Sequence, residues 1–259
     1  MVALAVTPDR RWAATTAELL AATTAAGFSA LGAFSDQAGP DVRQLYDAAQ
    51  VRCHEVLALV VSDDEGETLR SARALAGAAA TMGADWVLTV FRSPLTAETA
   101  PIVQRSAAVI AEVGAAMAVE FSPLGPISSV RAALGVVDVA NAGGGRAGLL
   151  IDTWHFERGE STWDDLEAVP LDQIAYVQFS DALAPAGDSL ARQTMHRRAL
   201  PGDGTLALDR FATTLLQRGW DGLVSVEVLS AELRTLPVDE ALRRLHATTA
   251  PYWPARGPR

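Results

Sequence analysis

The sequence predicts an α/β fold, a single closed (β/α)8 barrel spanning residues 1–259. Three observations carry that reading. Short aliphatic, β-branched runs alternate along the chain with longer Ala/Leu-rich runs, the pattern of a parallel sheet covered by helices. The alternation repeats eight times with no low-complexity linker. The length of 259 residues matches the ~250 typical of a closed barrel with that repeat.

Residues 2–6 read as the first strand, and residues 16–26 as a helix stopped by Gly27. Residues 28–34 are the second strand. Asp41 is a candidate N-cap for a helix running to residue 51. Residues 56–61 are nearly all aliphatic and branched, as a strand buried on both faces should be. Residues 67–82 are helical and Gly83 ends them. Residues 86–91 form the fourth strand, and residues 97–113 the fourth helix, ended by Gly114. The second half repeats the scheme with strand 116–121, helix 128–140, strand 147–152, short helix 162–167 and strand 174–179. Helix 208–218, strand 223–228 and helix 238–249 complete it. A doubly wound open sheet is the alternative arrangement. Against it, no glycine-rich dinucleotide turn follows the first strand. Gly143, Gly144 and Gly145 precede a strand, as a helix-to-strand loop does.

Composition excludes several chemistries. All 21 cationic side chains are arginine, because the sequence contains no lysine. A lysine Schiff base and a phosphate-loop lysine are therefore impossible, so carbonyl activation would need another electrophile, such as a metal. A net charge of −10 argues against a nucleic-acid partner, and the Arg192, Arg197, Arg198 patch is too small to reverse that. Cys53 is the only cysteine, so no oxidising compartment is needed. No apolar run is long enough to span a membrane. The N-terminal residues read as a strand and lack a signal peptide's charged start, which makes the cytoplasm the expected location. Oligomeric state is not legible.

In a parallel barrel the chemistry collects at the C-terminal ends of the strands. Four polar residues stand there. Glu120 ends the fifth strand, Asp152 ends the sixth, Gln178 lies in the seventh and Glu227 in the eighth. A carboxylate within an apolar run is costly to bury without compensation. Hydrogen bonds and helix capping could compensate one such group. Three carboxylates and an amide on neighbouring strands point instead to a hard divalent cation, Mg²⁺ or Mn²⁺, with Zn²⁺ or Co²⁺ also admissible.

The run Asp152-Thr153-Trp154-His155 resembles the D-T-x-H signature of the xylose-isomerase-like TIM barrel superfamily, which includes sugar phosphate isomerases and epimerases. Val119-Glu120-Phe121, Val177-Gln178-Phe179-Ser180-Asp181, Leu200-Pro201-Gly202-Asp203-Gly204 and Val226-Glu227-Val228 match in the same order. The first half matches only in strand–helix rhythm. The resemblance implies one metal held by Glu120, Asp152, Gln178 and Glu227. It also implies that Glu120 and Glu227 exchange protons with the substrate carbon, and that His155 polarises a substrate oxygen or shuttles a proton. Arg198, just before the Pro-Gly pair, would bind substrate oxygens, with His196 and Arg92 as further contacts and Arg158 as a third anion-binding candidate. Trp154 and Phe156 fit either an apolar wall for a sugar ring or simple packing. The 192–204 segment reads either as a solvated loop or as a lid. His54 and His246 read as structural, in a helix exit and the last helix.

Two departures matter. Many relatives carry histidine where this chain has Gln178, a substitution found in the dehydroshikimate-dehydratase branch. Relatives with an active-site lysine cannot be followed residue by residue. The leading expectation is an isomerase or epimerase of a small hydroxy-ketone (sugar, sugar phosphate or cyclitol), acting through a metal-stabilised enediolate. The alternative is a metal-dependent dehydratase of the dehydroshikimate or inosose type, with His155 as acid or base. A non-catalytic sugar-binding barrel is the third reading.

Overall fold

The structure is a computed structural model and describes residues 2–254. Eight parallel strands close into a barrel: β1 (Ala3–Val6), β2 (Ala30–Phe34), β3 (Arg52–Val61), β4 (Trp86–Phe91), β5 (Ala116–Glu120), β6 (Ala147–Asp152), β7 (Ile174–Phe179) and β10 (Leu223–Val226). Neighbours follow chain order, and β10 pairs in parallel with both β7 and β1 to close the ring. Two short strands, β8 (Asp181–Ala182) and β9 (Arg198–Ala199), form an antiparallel ribbon outside the barrel.

The outer helices are α1 (Thr16–Ala26), α2 (Pro40–Ala49), α3 (Glu65–Met82), α4 (Ala100–Ala111), α5 (Val130–Ala142), α9 (Leu208–Gln217) and α10 (Val238–Thr249). Three short helices lie in loops: α6 (Thr153–Arg158), α7 (Trp163–Ala168) and α8 (Leu190–His196). Local chemistry sets the ends. Thr15 and Glu18 form a reciprocal capping box at the start of α1, and Gly27 ends it in the left-handed conformation at φ 95°. Among the described residues no helix is long and apolar enough to cross a membrane.

The period-two alternation of the strands sorts the two cores. Met117, Val119, Leu149, Ile151, Val177, Phe179, Val224 and Val226 face the helices. Ala118, Leu150, Tyr176 and Leu223 face the barrel axis. Continuing the same parity upward places Glu120, Asp152, Gln178, Ser225 and Glu227 on the inner face at the C-terminal ends. The fold thus delivers the polar groups to one place.

Several expectations are corrected. Asp41 does not cap α2: Gly39 holds the cap position, Pro40 opens the helix, and Asp41 sits in the first turn. Proline suits that opening because its missing N–H would have no helical partner. Strand β3 starts at Arg52 rather than residue 56, so His54 is a fully buried strand residue and not part of a helix exit. The extra residues reach the barrel floor, where Cys53 and His54 are enclosed. Burial, reinforced by the charge of Glu55, pushes the Cys53 thiol up to about 12, which makes it inert at neutral pH. The residues after Asp152 turn directly into α6, which was not anticipated.

Candidate metal centre and substrate pocket

Glu120, Asp152, Gln178 and Glu227 stand on consecutive barrel strands, β5, β6, β7 and β10. Glu227 is the first residue after β10. Asp152 and Gln178 are direct register partners, as are Gln178 and Ser225. Asp152 also caps α6, its Oδ1 accepting the His155 N–H at 3.0 Å. That bond ties the orientation of the carboxylate to the start of the helix bearing His155. Thr153 reinforces the junction. Its hydroxyl donates to the Ser180 carbonyl at 2.7 Å and accepts from the Ser180 N–H at 3.0 Å.

Among the described residues one guanidinium serves this cluster. The Arg198 guanidinium is buried, and its Nη1 lies 2.6 Å from Asp152 Oδ2 and 3.0 Å from Glu227 Oε2. Its Nη2 donates to Thr194 Oγ1 at 3.0 Å. The third carboxylate, Glu120, is met by His155, whose Nε2 is 3.3 Å from Glu120 Oε1. His155 Nδ1 is buried with no hydrogen-bond partner among the described residues. The titration behaviour follows. Burial works against the charge of Asp152, but Arg198 and His155 outweigh it and hold the carboxyl below its ordinary range. Burial also pushes Glu227 up, and with Asp152 and Glu120 adding like charge, Arg198 does not compensate. One guanidinium is thus shared between Asp152 and Glu227, and Glu227 holds its proton more tightly than Asp152 does.

The residues fit a divalent cation on an independent observation. Gln178 is fully buried and donates from Nε2 to Thr7 Oγ1 at 3.3 Å, while its Oε1 has no partner among the described residues. A buried carbonyl-type oxygen without a donor is costly, and it is a natural ligand for a hard cation. With three carboxylates it makes an all-oxygen donor set. Ligand atoms of Glu120, Asp152 and His155 also lie within 4.8 Å of one another. The imidazole would admit Zn²⁺ or Co²⁺ as well as Mg²⁺ or Mn²⁺.

A cavity of about 330 Å³ opens over these groups, with Glu120, His155, Arg198 and Glu227 on its polar side and Leu88 and Phe91 on its apolar side. That size and mixture suit a small polar organic molecule. The remaining expected substrate contacts are placed elsewhere. Trp154 is fully buried behind the site, its ring 5.7 Å from Arg198 Cζ, and packs rather than lining the cavity. His196 is half-buried at the end of α8, 3.1 Å from Arg234 Nη1, and Arg234 is anchored 2.5 Å from Asp9. Arg92 is exposed just past β4. None of these three is among the cavity-lining residues. The 192–204 segment carries α8 and β9 and contributes Thr194, Met195 and Arg198 to the cavity wall. Its Pro-Gly turn is held by Asp181, whose carboxylate accepts the N–H groups of Gly202, Gly204 and Leu206 at 2.9–3.1 Å.

Comparisons with known proteins place the chain in a family. Residues 14–248 match a family model described as the xylose isomerase-like TIM barrel. The chain belongs to the xylose isomerase-like TIM barrel family. Within it, the chain is similar to an inosose isomerase of Halalkalibacterium halodurans, at 32% identity over 103 residues, covering 39% of this chain and 35% of that protein. It is similar to an inosose isomerase of Bacillus licheniformis at 25% identity, covering 62% of this chain and 56% of that protein. A 3-dehydroshikimate dehydratase of Pseudomonas putida matches at 29% identity over 35% of this chain and 14% of that protein. Each alignment thus spans well under two thirds of the curated relative. Among solved structures, a zinc-bound IolI protein superposes with a TM-score of 0.80 at 19% identity, covering 97% of this chain and 98% of the other. A D-allulose 3-epimerase of Methylomonas sp. in complex with D-allulose gives 0.72 at 15% identity, covering 95% and 94%. At those identities the superpositions speak for a shared xylose isomerase-like fold.

Sequence reasoning missed a second polar cluster lower in this barrel: Thr7, Glu55, Tyr176 and Ser225. The signal was Glu55 one place before an aliphatic strand, at the parity that faces the axis.

Proposed function

We propose that this chain is a divalent-metal-dependent isomerase or epimerase of a small hydroxy-ketone: a sugar, a sugar phosphate or a cyclitol. The observation that carries the reading is the strand-end quartet: Gln178, in register with Asp152, has an unpartnered amide oxygen, and Glu120 and Glu227 line one cavity. Glu120, Asp152, Gln178 and Glu227 would hold the cation, which would polarise a substrate carbonyl and make the adjacent C–H acidic. The protein's own groups move the proton. Glu120 and Glu227 come from strands separated by β6 and β7, so they approach a bound molecule from different sides. One can take the proton and the other can return it. His155, fixed beside Glu120, is placed to exchange a proton with a substrate hydroxyl. Arg198 binds substrate oxygens at the cavity wall. We read residues 1–259 as one catalytic domain, and a lone buried cysteine suits the cytoplasm.

A second reading is favoured by Gln178 and by the match to a 3-dehydroshikimate dehydratase. In it, the proton is removed in the same way and a β-hydroxyl leaves as water, protonated by His155.

Incubation of the Mn²⁺-loaded protein with ketoses and inososes in D₂O separates the two. Deuterium entering the carbon next to the carbonyl without loss of water is the expected result. An absorbing enone would move the assignment to the dehydratase. Neither outcome across both panels, with metal bound, would contradict catalysis and leave a sugar-binding barrel.

A further inference from the structure

We propose that Glu55 is a positioning residue that fixes which end of the Gln178 amide faces the metal centre. The inference rests on the proposed function's metal site. Glu55 lies below that site on β3 and is fully buried. It accepts the Thr7 hydroxyl at 2.5 Å on Oε1 and the Tyr176 hydroxyl on Oε2, and His54 Nε2 is 3.1 Å from Oε1. Thr7 in turn meets Ser225 Oγ at 2.7 Å and Gln178 Nε2 at 3.3 Å.

Proton counting then fixes the direction of every bond. An ionised carboxylate only accepts, so the single hydroxyl proton of Thr7 is committed to Glu55. The Thr7 oxygen has two acceptor positions left. Ser225 donates into one and the Gln178 NH₂ group into the other. A flipped amide would set the Gln178 oxygen against an oxygen with no proton to offer. The chain Glu55–Thr7–Gln178 therefore keeps the nitrogen down and the oxygen free toward the strand ends. Although burial opposes the Glu55 charge, His54, Thr7 and Tyr176 outweigh it and keep the carboxyl below its usual range, consistent with an acceptor-only role.

Glu55→Gln breaks this logic without changing shape. A glutamine there can donate to Thr7, which frees the Thr7 hydroxyl to pair with either end of Gln178, its oxygen accepting from the NH₂ or its proton going to the amide oxygen. The amide then loses its fixed direction, and the metal faces NH₂ part of the time. Outer-shell changes of this kind lower metal affinity by about 10–100-fold.

The test is Mn²⁺ titration of the metal-free full chain by calorimetry, with no substrate present. Glu55→Gln is expected to weaken binding by about tenfold or more. Thr7→Val should do the same by cutting the link, and Thr7→Ser, which keeps the hydroxyl, should restore it. In a Gln178→Ala background, Glu55→Gln should have no further effect, because the amide it orients is gone. A general structural role would instead weaken both backgrounds alike, and that result overturns the proposal. Wild-type affinity retained in both Glu55→Gln and Thr7→Val overturns it too. A wild-type chain that binds no Mn²⁺ contradicts the metal site itself, which is a separate failure.

Discussion

Replacing Arg198 by methionine lowers the stability of the metal-free protein by about 3–5 kcal/mol at pH 7, the cost of removing one partner from a buried ion pair. Among the described residues the guanidinium is the one cation paired with both Asp152 and Glu227, and methionine keeps much of its volume while leaving the buried Asp152 carboxylate without that counter-charge. The pH dependence has a defined sign. Arg198 holds Asp152 below the ordinary value of 3.8. Its contribution is therefore complete above that pH and disappears as pH falls through the lower folded value. Urea titrations of both proteins between pH 3 and 8 measure it. Added Mn²⁺ should stabilise the variant more than the wild type, because the cation no longer competes with a guanidinium for the same oxygens. A loss below about 1 kcal/mol, the scale of an exposed pair, would contradict this assignment of the site's charge balance.

The largest expected effect on activity comes from the two glutamates. Glu120→Gln and Glu227→Gln should each slow deuterium exchange into a substrate by about 10²–10⁴-fold, the usual contribution of a positioned acid or base. Stability should move the other way for Glu227→Gln. Burial and the charges of Asp152 and Glu120 already resist ionisation of Glu227, so a neutral amide of equal size relieves the metal-free fold. Loss of exchange with a retained or raised melting temperature is the outcome that identifies a functional group rather than a structural one. Exchange that survives both substitutions would remove these carboxylates from the chemistry.

The strands explain what could be read from the sequence. A period of two, counted up β5, β6, β7 and β10, places Glu120, Asp152, Gln178 and Glu227 on the inner face from the sequence alone. Arg198 was legible as a site residue, but its tie to Asp152 and Glu227 depends on how the 192–204 segment folds back, and no local pattern encodes that. Trp154 and His196 illustrate the same limit. Each neighbours a site residue in sequence, yet α6 turns Trp154 into the core and Arg234 holds His196 beside the site. Glu55 was overlooked because the aliphatic run of β3 draws attention to residues 56–61. The strand begins earlier, and a buried acid is tolerated there only because Thr7 and Tyr176 reach it from other segments, with His54 beside it on β3.

The proposed centre is one divalent cation held at the strand ends by three carboxylates and an amide oxygen. Anomalous diffraction from crystals soaked in Mn²⁺ tests it most directly. A single strong peak is expected within ligand distance of Glu120, Asp152, Glu227 and Gln178 Oε1. A peak elsewhere, or none with Arg198 still bridging Asp152 and Glu227, would contradict it.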